Sequence, residues 1–360
     1  MRIVFAAGGT GGHILPALSV ADELRARASG LEALFIGTRS GLEAKLVPAA
    51  GYEIRYISGR GVRGKGIAAR IRNTGSIAVG LFQSLGIIRR FKPDLVFGSG
   101  GYASAAVVLA ASLLRKKVVI QEQNSIPGLT NRLLARFARR IYLGFEMAAG
   151  HFRGRRGLVV TGNPLRAEIL ASGRVDTRAE FGLAAGKPVL LVFGGSQGAH
   201  TLNAAAAGYL LAHPDVQAII QTGYQDHEWM KERLGAQGAR CYIRPYIADM
   251  YRAYGAAAAG LARAGALSVS EIAAVALPSI LVPYPHAADN HQFYNASFLA
   301  DAGGAVIIAD SDLNKDTLAA ALDPLLADPA ALSSMRRSLE RVARRDAAKR
   351  IADDILTIAS

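Results

Sequence analysis

The chain has a single cysteine, Cys241, in 360 residues. No internal disulfide can form, which suits a reducing compartment. Long apolar runs are also missing. One long stretch without a charged residue, 95–114, is broken by Gly-Ser-Gly-Gly-Tyr at 98–102. It reads as strand, turn and helix rather than a membrane span. Residues 1–9 hold one charged side chain and an apolar run too short for a secretory leader, so none is expected. Aromatic residues are few, at 7%, and no nucleic-acid-binding motif is present. Acidic residues are scarce in one half only. Residues 1–163 hold 24 Lys+Arg against 8 Asp+Glu, whereas residues 164–360 hold 18 against 20. A basic excess confined to one half predicts an anionic partner there, and an anionic membrane surface fits better than nucleic acid. The remaining composition, 51% hydrophobic and 19% charged, is that of a globular α/β protein long enough for two cores.

Both halves open alike. A strand at 3–7 runs into Gly8-Gly9-Thr10-Gly11-Gly12 and then a helix carrying Ile14, Leu18, Ala21 and Leu24. A strand at 189–193 runs into another glycine loop, 194–199, and another helix. The repeat predicts an α/β fold of two doubly wound, Rossmann-like domains facing across a cleft, with boundaries at 1–162, 163–340 and 341–360. Further strands are expected at 33–36, 54–57, 95–97, 118–120, 159–160, 217–221, 239–243 and 279–282. A glycine loop feeding a helix presents free N–H groups and the positive end of a dipole, which favours phosphate. The spacing matches neither the dinucleotide fingerprint nor a Walker A loop. Pro16 is expected in the first helical turn, where proline is tolerated. His13 stands at the start of that helix as a capping group or a base. Between 67 and 88, Ile67, Ile71, Ile77, Leu81, Phe82, Leu85 and Ile88 could form one helical stripe flanked by Arg and Lys. That stripe serves either a core or an interface with anionic lipid.

Residues 263–295 read as a glycine turn, a helix capped near Ser268 and Ser270 and ended by Pro278, a short buried strand, and a polar loop. Glu271, placed in the first helical turn, either complements the dipole or accepts hydrogen bonds from a ribose diol. Gln292 and Asn295 carry amides suited to sugar hydroxyls. Arg166 could reach a pyrophosphate or be a plain surface arginine. Tyr246 and Ile247 could cover a flat base or simply pack a loop. Asp310-Ser311-Asp312 matches a D-x-D metal pattern but reads as a solvated turn.

The motifs GGTGGH at 8–13, GSGGY at 98–102, EQN at 122–124, GNPLR at 162–166, GGSQGA at 194–199 and the stretch 268–295 together resemble family B glycosyltransferases. Within them the chain is similar to the bacterial enzymes that add N-acetylglucosamine to the lipid-linked peptidoglycan precursor. The resemblance implies that the C-terminal half holds UDP-N-acetylglucosamine. Arg166 and Ser196 would meet the pyrophosphate, Ile247 the uracil, Glu271 the ribose and Gln292 the sugar. The backbone of Ala266, Leu267, Ser268, Val269 and Ser270 would face the phosphates and sugar. Thr10, Gly11, Gly12 and Asn124 would close on the donor from the other half. Gly101 and Tyr102 would lie on the acceptor side, toward an undecaprenyl-linked muramyl-pentapeptide. The final helix would cross back onto the N-terminal domain. Transfer would proceed with inversion, at the cytoplasmic membrane face, without a cofactor or bound metal. His13 is the candidate base, with Glu122 and Asp289 as rival carboxylates. The family usually shows His-Glu-Gln-Asn where this chain has Gln121, so no catalytic role is carried to that position. Other readings are a transferase with a different lipid acceptor, a UDP-sugar epimerase, or a basic nucleic-acid-binding protein.

Overall fold

The computed structural model describes residues 1–59, 67–172, 176–195 and 198–359, with the side chains of 67–77 also left out. The chain divides into two compact units, 1–166 with 345–360, and 167–344.

Among the described residues each unit holds one all-parallel sheet. In the first, β1 (Arg2–Ala6), β2 (Glu32–Gly37), β3 (Glu53–Tyr56), β4 (Leu95–Gly98), β5 (Lys117–Glu122), β6 (Arg140–Leu143) and β7 (Leu158–Val160) lie in the order β3-β2-β1-β4-β5-β6-β7. In the second, β8 (Val189–Phe193), β9 (Gln217–Gln221), β10 (Cys241–Arg244), β11 (Ala259–Ala262), β12 (Ser279–Leu281) and β13 (Ala305–Ile307) lie in the order β10-β9-β8-β11-β12-β13. The strands are short apolar runs because helices cover both faces. Alternation along β1 shows it: Ile3 and Phe5 enter one core, and Val4 and Ala6 the other. Phe5 stacks on Phe35 at 5.0 Å and tilts against Phe97 at 5.5 Å, tying β1 to both neighbours.

Strand order reverses between β1 and β4 in the first unit and between β8 and β11 in the second. Such switch points open a crevice at the carboxyl ends of the strands. The glycine loops after β1 and β8 stand at these two points.

The last helix, Ala347–Ala359, buries Ile351, Ile355 and Ile358 in the core beside β1. Tyr142 Oη donates to Asp354 at 2.9 Å, Lys117 Nζ donates to the Ile358 carbonyl at 2.7 Å, and Arg27 pairs with Asp353. This terminal segment is therefore part of the first unit.

Several elements depart from the expectation. The strands β6, β11 and β13 had no separate signal. The strand expected from 239 begins at Cys241, after a turn of 3-10 helix. The helix expected to start near Ser268 starts at Ala266, because Gly265 supplies the extended N-cap conformation (φ −63°, ψ 147°). Ser270 instead donates back to the Ala266 carbonyl at 2.9 Å, and Glu271 falls in the second turn. The segment expected as a polar loop becomes a helix, His291–Ala300, entered through two left-handed residues, Asp289 (φ 52°) and Asn290 (φ 53°). Pro16 also lies in the second turn, since its helix, Gly11–Arg27, begins six residues earlier than Ala17. Its missing N–H leaves the Gly12 carbonyl without the usual helical donor.

Candidate active site

At the switch point of the first unit, three loops meet. The Gly11–Arg27 helix starts after Thr10, an extended N-cap that offers no side-chain cap; the His13 and Ile14 N–H groups bond the Thr10 carbonyl at 3.1 and 3.3 Å, and the Gly11 and Gly12 amides precede them in the first turn. The loop after β4 enters the Gly101–Leu113 helix through Gly100 (φ +92°) and Gly101 (φ +80°). A Cβ on Gly101 would stand 2.4 Å from the Gly8 carbonyl oxygen, and one on Gly100 would stand 2.9 Å from His13 Nδ1. Only glycine permits both that backbone and that approach. Tyr102 flanks Gly9. Thr10, Gly11, Gly12, His13, Gly101 and Tyr102 are thus brought together within one unit.

His13 Nδ1 lies 3.0 Å from Gln123 Oε1, and its carbonyl accepts from Ser99 Oγ at 2.7 Å. The ring is half-buried at the surface, and desolvation holds its pKa below the ordinary 6.5, outweighing the opposing pull of Gln123, Ser99 and the Glu43 carboxylate. The imidazole is neutral at neutral pH, as a general base requires.

Glu122 sits differently. Its carboxylate accepts from the Asn124 backbone N–H (2.9 Å), Asn124 Nδ2 (3.3 Å), the Gly128 N–H (3.1 Å) and Asn131 Nδ2 (2.8 Å). Burial raises its pKa and these hydrogen bonds oppose the rise. Four donors on two oxygens make it an organiser of the 122–131 loop, and this geometry favours His13 as base. Asn124 is held in the same cluster.

Sequence reasoning passed over Glu43. It is 1% exposed and accepts from the Thr38 N–H (2.8 Å), Thr38 Oγ1 (2.8 Å) and the Gly9 N–H (3.1 Å). The carboxylate fixes the first glycine loop from below. An acid just after Gly-Thr-Arg-Ser-Gly-Leu was the available signal. Asn131 was also missed, since its role depends on reaching back to Glu122.

In the second unit, the Ala266–Val275 helix opens at the β8/β11 switch point with no side-chain cap. The amides of Ala266, Leu267 and Ser268 stand in its first turn, the part of a helix that favours an anion, and Val269 N–H already bonds the Gly265 carbonyl at 2.9 Å. Glu271 is buried and accepts from Tyr254 Oη at 2.9 Å. Gln292 accepts from the Tyr284 N–H at 2.9 Å. Asn295 is fully buried and donates to the Ala264 carbonyl at 3.2 Å, so it shapes the loop instead of meeting a sugar. Ile247 is buried while Tyr246 is exposed. The Ile247 N–H is taken by Gln221 Oε1 at 3.0 Å, and Gln221 Nε2 donates to the Gly195 carbonyl at 3.0 Å. Gln221, another residue missed, therefore ties the second glycine loop to the Ile247 loop. Ser196 lies outside the described residues. Arg166, at the end of the first unit, has a buried Nε with no partner among the described residues.

Asp310 is not the solvated turn residue expected. Its Oδ1 pairs with Arg263 at 2.6 Å, with side chains 19% and 10% exposed. Arg263 also donates to the Val282 and Pro283 carbonyls. The carboxylate is thus paired with a cation of the same unit.

Residues 3–143 match the glycosyltransferase family 28 N-terminal domain, and residues 189–351 match the family 28 C-terminal domain. The chain belongs to glycosyltransferase family 28. A Symbiobacterium thermophilum protein named UDP-N-acetylglucosamine–N-acetylmuramyl-(pentapeptide) pyrophosphoryl-undecaprenol N-acetylglucosamine transferase is 42% identical, covering 100% of this chain and 96% of that protein. The crystal structure of Acinetobacter baumannii MurG matches with a TM-score of 0.78 at 32% identity, covering 99% of both chains. A Neisseria meningitidis UDP-GlcNAc 2-epimerase bound to UDP-GlcNAc matches with a TM-score of 0.71 at 12% identity, covering 99% of this chain and 100% of that one. At that identity the likeness is one of fold alone. Family membership and the two-domain Rossmann-like architecture agree with the expectation from the motifs.

Proposed function

We propose that this family 28 member transfers N-acetylglucosamine from UDP-N-acetylglucosamine to undecaprenyl-linked muramyl-pentapeptide, lipid I, forming lipid II for peptidoglycan. The observation that carries the reading is the 42% identity, over the whole chain, to a relative named for that reaction. The epimerase reading has only the shared fold. The test varies the acceptor. Transfer should occur to lipid I and fail with undecaprenyl pyrophosphate that lacks the muramyl-pentapeptide; transfer to both, or to neither, overturns the proposal.

The donor belongs to the second unit. The first-turn amides of the Ala266–Val275 helix meet the pyrophosphate, joined by Arg166 and by Ser196. Glu271 accepts from the ribose, the Ile247 loop reads the uracil, and Gln292 meets the sugar. Reaction inverts the anomeric carbon in one displacement. His13 takes the proton of the acceptor hydroxyl as its oxygen attacks. The charge gathering on departing UDP is met by the helix N-terminus and Arg166, with no metal. Glu271→Ala should weaken UDP-N-acetylglucosamine binding about ten- to a hundredfold, the worth of a charged hydrogen-bond pair. Unchanged affinity in calorimetry would remove the ribose role.

A lipid acceptor calls for peripheral work at a membrane, and this reading assigns the cytoplasmic face. Among the described residues no helix is long and apolar enough to cross a membrane. In the first unit, Leu81, Leu85 and Ile88 of the Ile67–Phe91 helix face the core, but Phe82 is 72% exposed. The adjoining helices add exposed Leu113, Leu129 and Leu133, with Arg89, Arg90, Arg115, Lys116 and Arg136 nearby in sequence. Ile67, Ile71 and Ile77 lie outside the described side chains. The full protein should bind vesicles containing anionic lipid, and Phe82→Ser should weaken that binding. Salt should weaken it too, since each cation near such a surface contributes about 1 kcal/mol. Salt-independent binding to neutral vesicles would contradict the electrostatic part.

A further inference from the structure

The amides beneath the first glycine loop form a chain with one direction, and backbone carbonyls set it. A carbonyl oxygen only accepts. Asn163 Nδ2 donates to the Gln123 carbonyl at 3.0 Å, so Asn163 Oδ1 faces Gln121 and accepts from its Nε2 at 2.9 Å. Gln121 Oε1 then accepts from Gln123 Nε2. Gln123 Nε2 also donates to the Ser99 carbonyl at 2.9 Å, which independently excludes the flipped amide. Those two oxygens take both protons of Gln123 Nε2; Ser99 Oγ, 2.9 Å from it, has committed its own proton to the His13 carbonyl and gives none to Gln123. Gln123 Oε1 is therefore the atom turned toward His13 Nδ1. An amide oxygen has no proton to give, so the proton between them belongs to the imidazole.

We infer that Gln123 is a positioning residue for the transfer: it holds neutral His13 as the Nδ1–H tautomer and leaves Nε2 as the proton acceptor. The inference rests on His13 being the base. Gln123 is 2% exposed and Gln121 is fully buried, so water does not compete for these bonds. The Gln121 amide does not titrate, so the direction of the chain is independent of pH. Gly100 completes the arrangement, because any Cβ there would strike the ring at Nδ1.

The test is long-range nitrogen–proton NMR on the full protein with ¹⁵N-labelled histidine, assigning His13 by the signals lost in His13→Asn. At neutral pH the expected pattern is a protonated Nδ1 and an unprotonated Nε2. A protonated Nε2 overturns the inference whatever the activity. Gln123→Ala should mix the tautomers and lower kcat about tenfold, the worth of one net hydrogen bond, with acceptor KM unchanged. Gln123→Glu should restore kcat at neutral pH and move the acid limb of the profile upward, because a carboxylate beside Nδ1–H favours the imidazolium. If Gln123→Ala does not fold, the wild-type spectrum and Gln123→Glu decide. Normal kcat and an unmoved acid limb in both variants would overturn the positioning role. The expected tautomer together with an unaffected kcat in His13→Ala would instead remove the base reading alone.

Discussion

His13→Ala should lower kcat by about 10²–10⁴-fold, the usual worth of a general base, while leaving acceptor KM near its wild-type value. A raised KM with near-normal kcat would make His13 a binding group for the acceptor. The pH profile gives a second reading. Burial holds the His13 pKa below 6.5, so the acid limb of kcat/KM, which reports the free enzyme, should lie below that of an ordinary histidine. The same shift bears on stability with a defined sign. The unfolded chain binds the proton more readily than the folded one, so His13's contribution is full above pH 6.5 and is lost as pH falls below it. An acid limb above the ordinary range would mean that the catalytic form of His13 is not the half-buried neutral ring.

Asp310→Ala should destabilise the second unit by about 3 kcal/mol, the lower end for stripping one partner from a buried ion pair. The cost falls on Arg263, which stays buried with its charge. Two backbone carbonyls and the Tyr284 ring, 5.6 Å away, remain as its partners. For a unit of this size such a loss lowers Tm by roughly 6–12 °C. With two units the melt need not be one transition, so calorimetry should resolve which one shifts. Donor binding should weaken too, because Arg263 immediately precedes the loop that opens the Ala266–Val275 helix. A melt unchanged by Asp310→Ala would show that the carboxylate is solvated after all.

Strands such as Val189–Phe193 and Gln217–Gln221 were legible because buried parallel strands are runs of apolar, often β-branched residues bounded by turns. Ala259–Ala262 was not, because its residues are small for a tertiary reason: a Cβ on Gly260 would lie 2.7 Å from Ser279 Oγ and 3.0 Å from Leu277 Cδ2. The glycine loops were legible because glycine readily adopts the positive-φ backbone they need, and their helices because apolar residues recur at helical spacing. The helix from His291 was hidden by Pro285, Asp289 and Asn290, all turn formers, which here build its entry. Ser268 and Ser270 looked like caps, but Gly265 had already opened the helix. At the site, His13, Glu122 and Glu271 stood out as polar residues at element ends. Glu43 and Arg263 did not, and Gln123 stood out only as a member of the EQN cluster, because their partners are distant in sequence. Glu43 meets Gly9 across 34 positions, and Gln123 meets His13 across 110.

The most direct measurement follows radiolabel from UDP-N-acetylglucosamine into lipid, using purified protein, lipid I and excess EDTA. The account predicts label in a lipid product that requires lipid I and persists under chelation, with one UDP released for each sugar transferred. Label confined to the nucleotide sugar or its 2-epimer, with lipid I present and unlabelled, would contradict it.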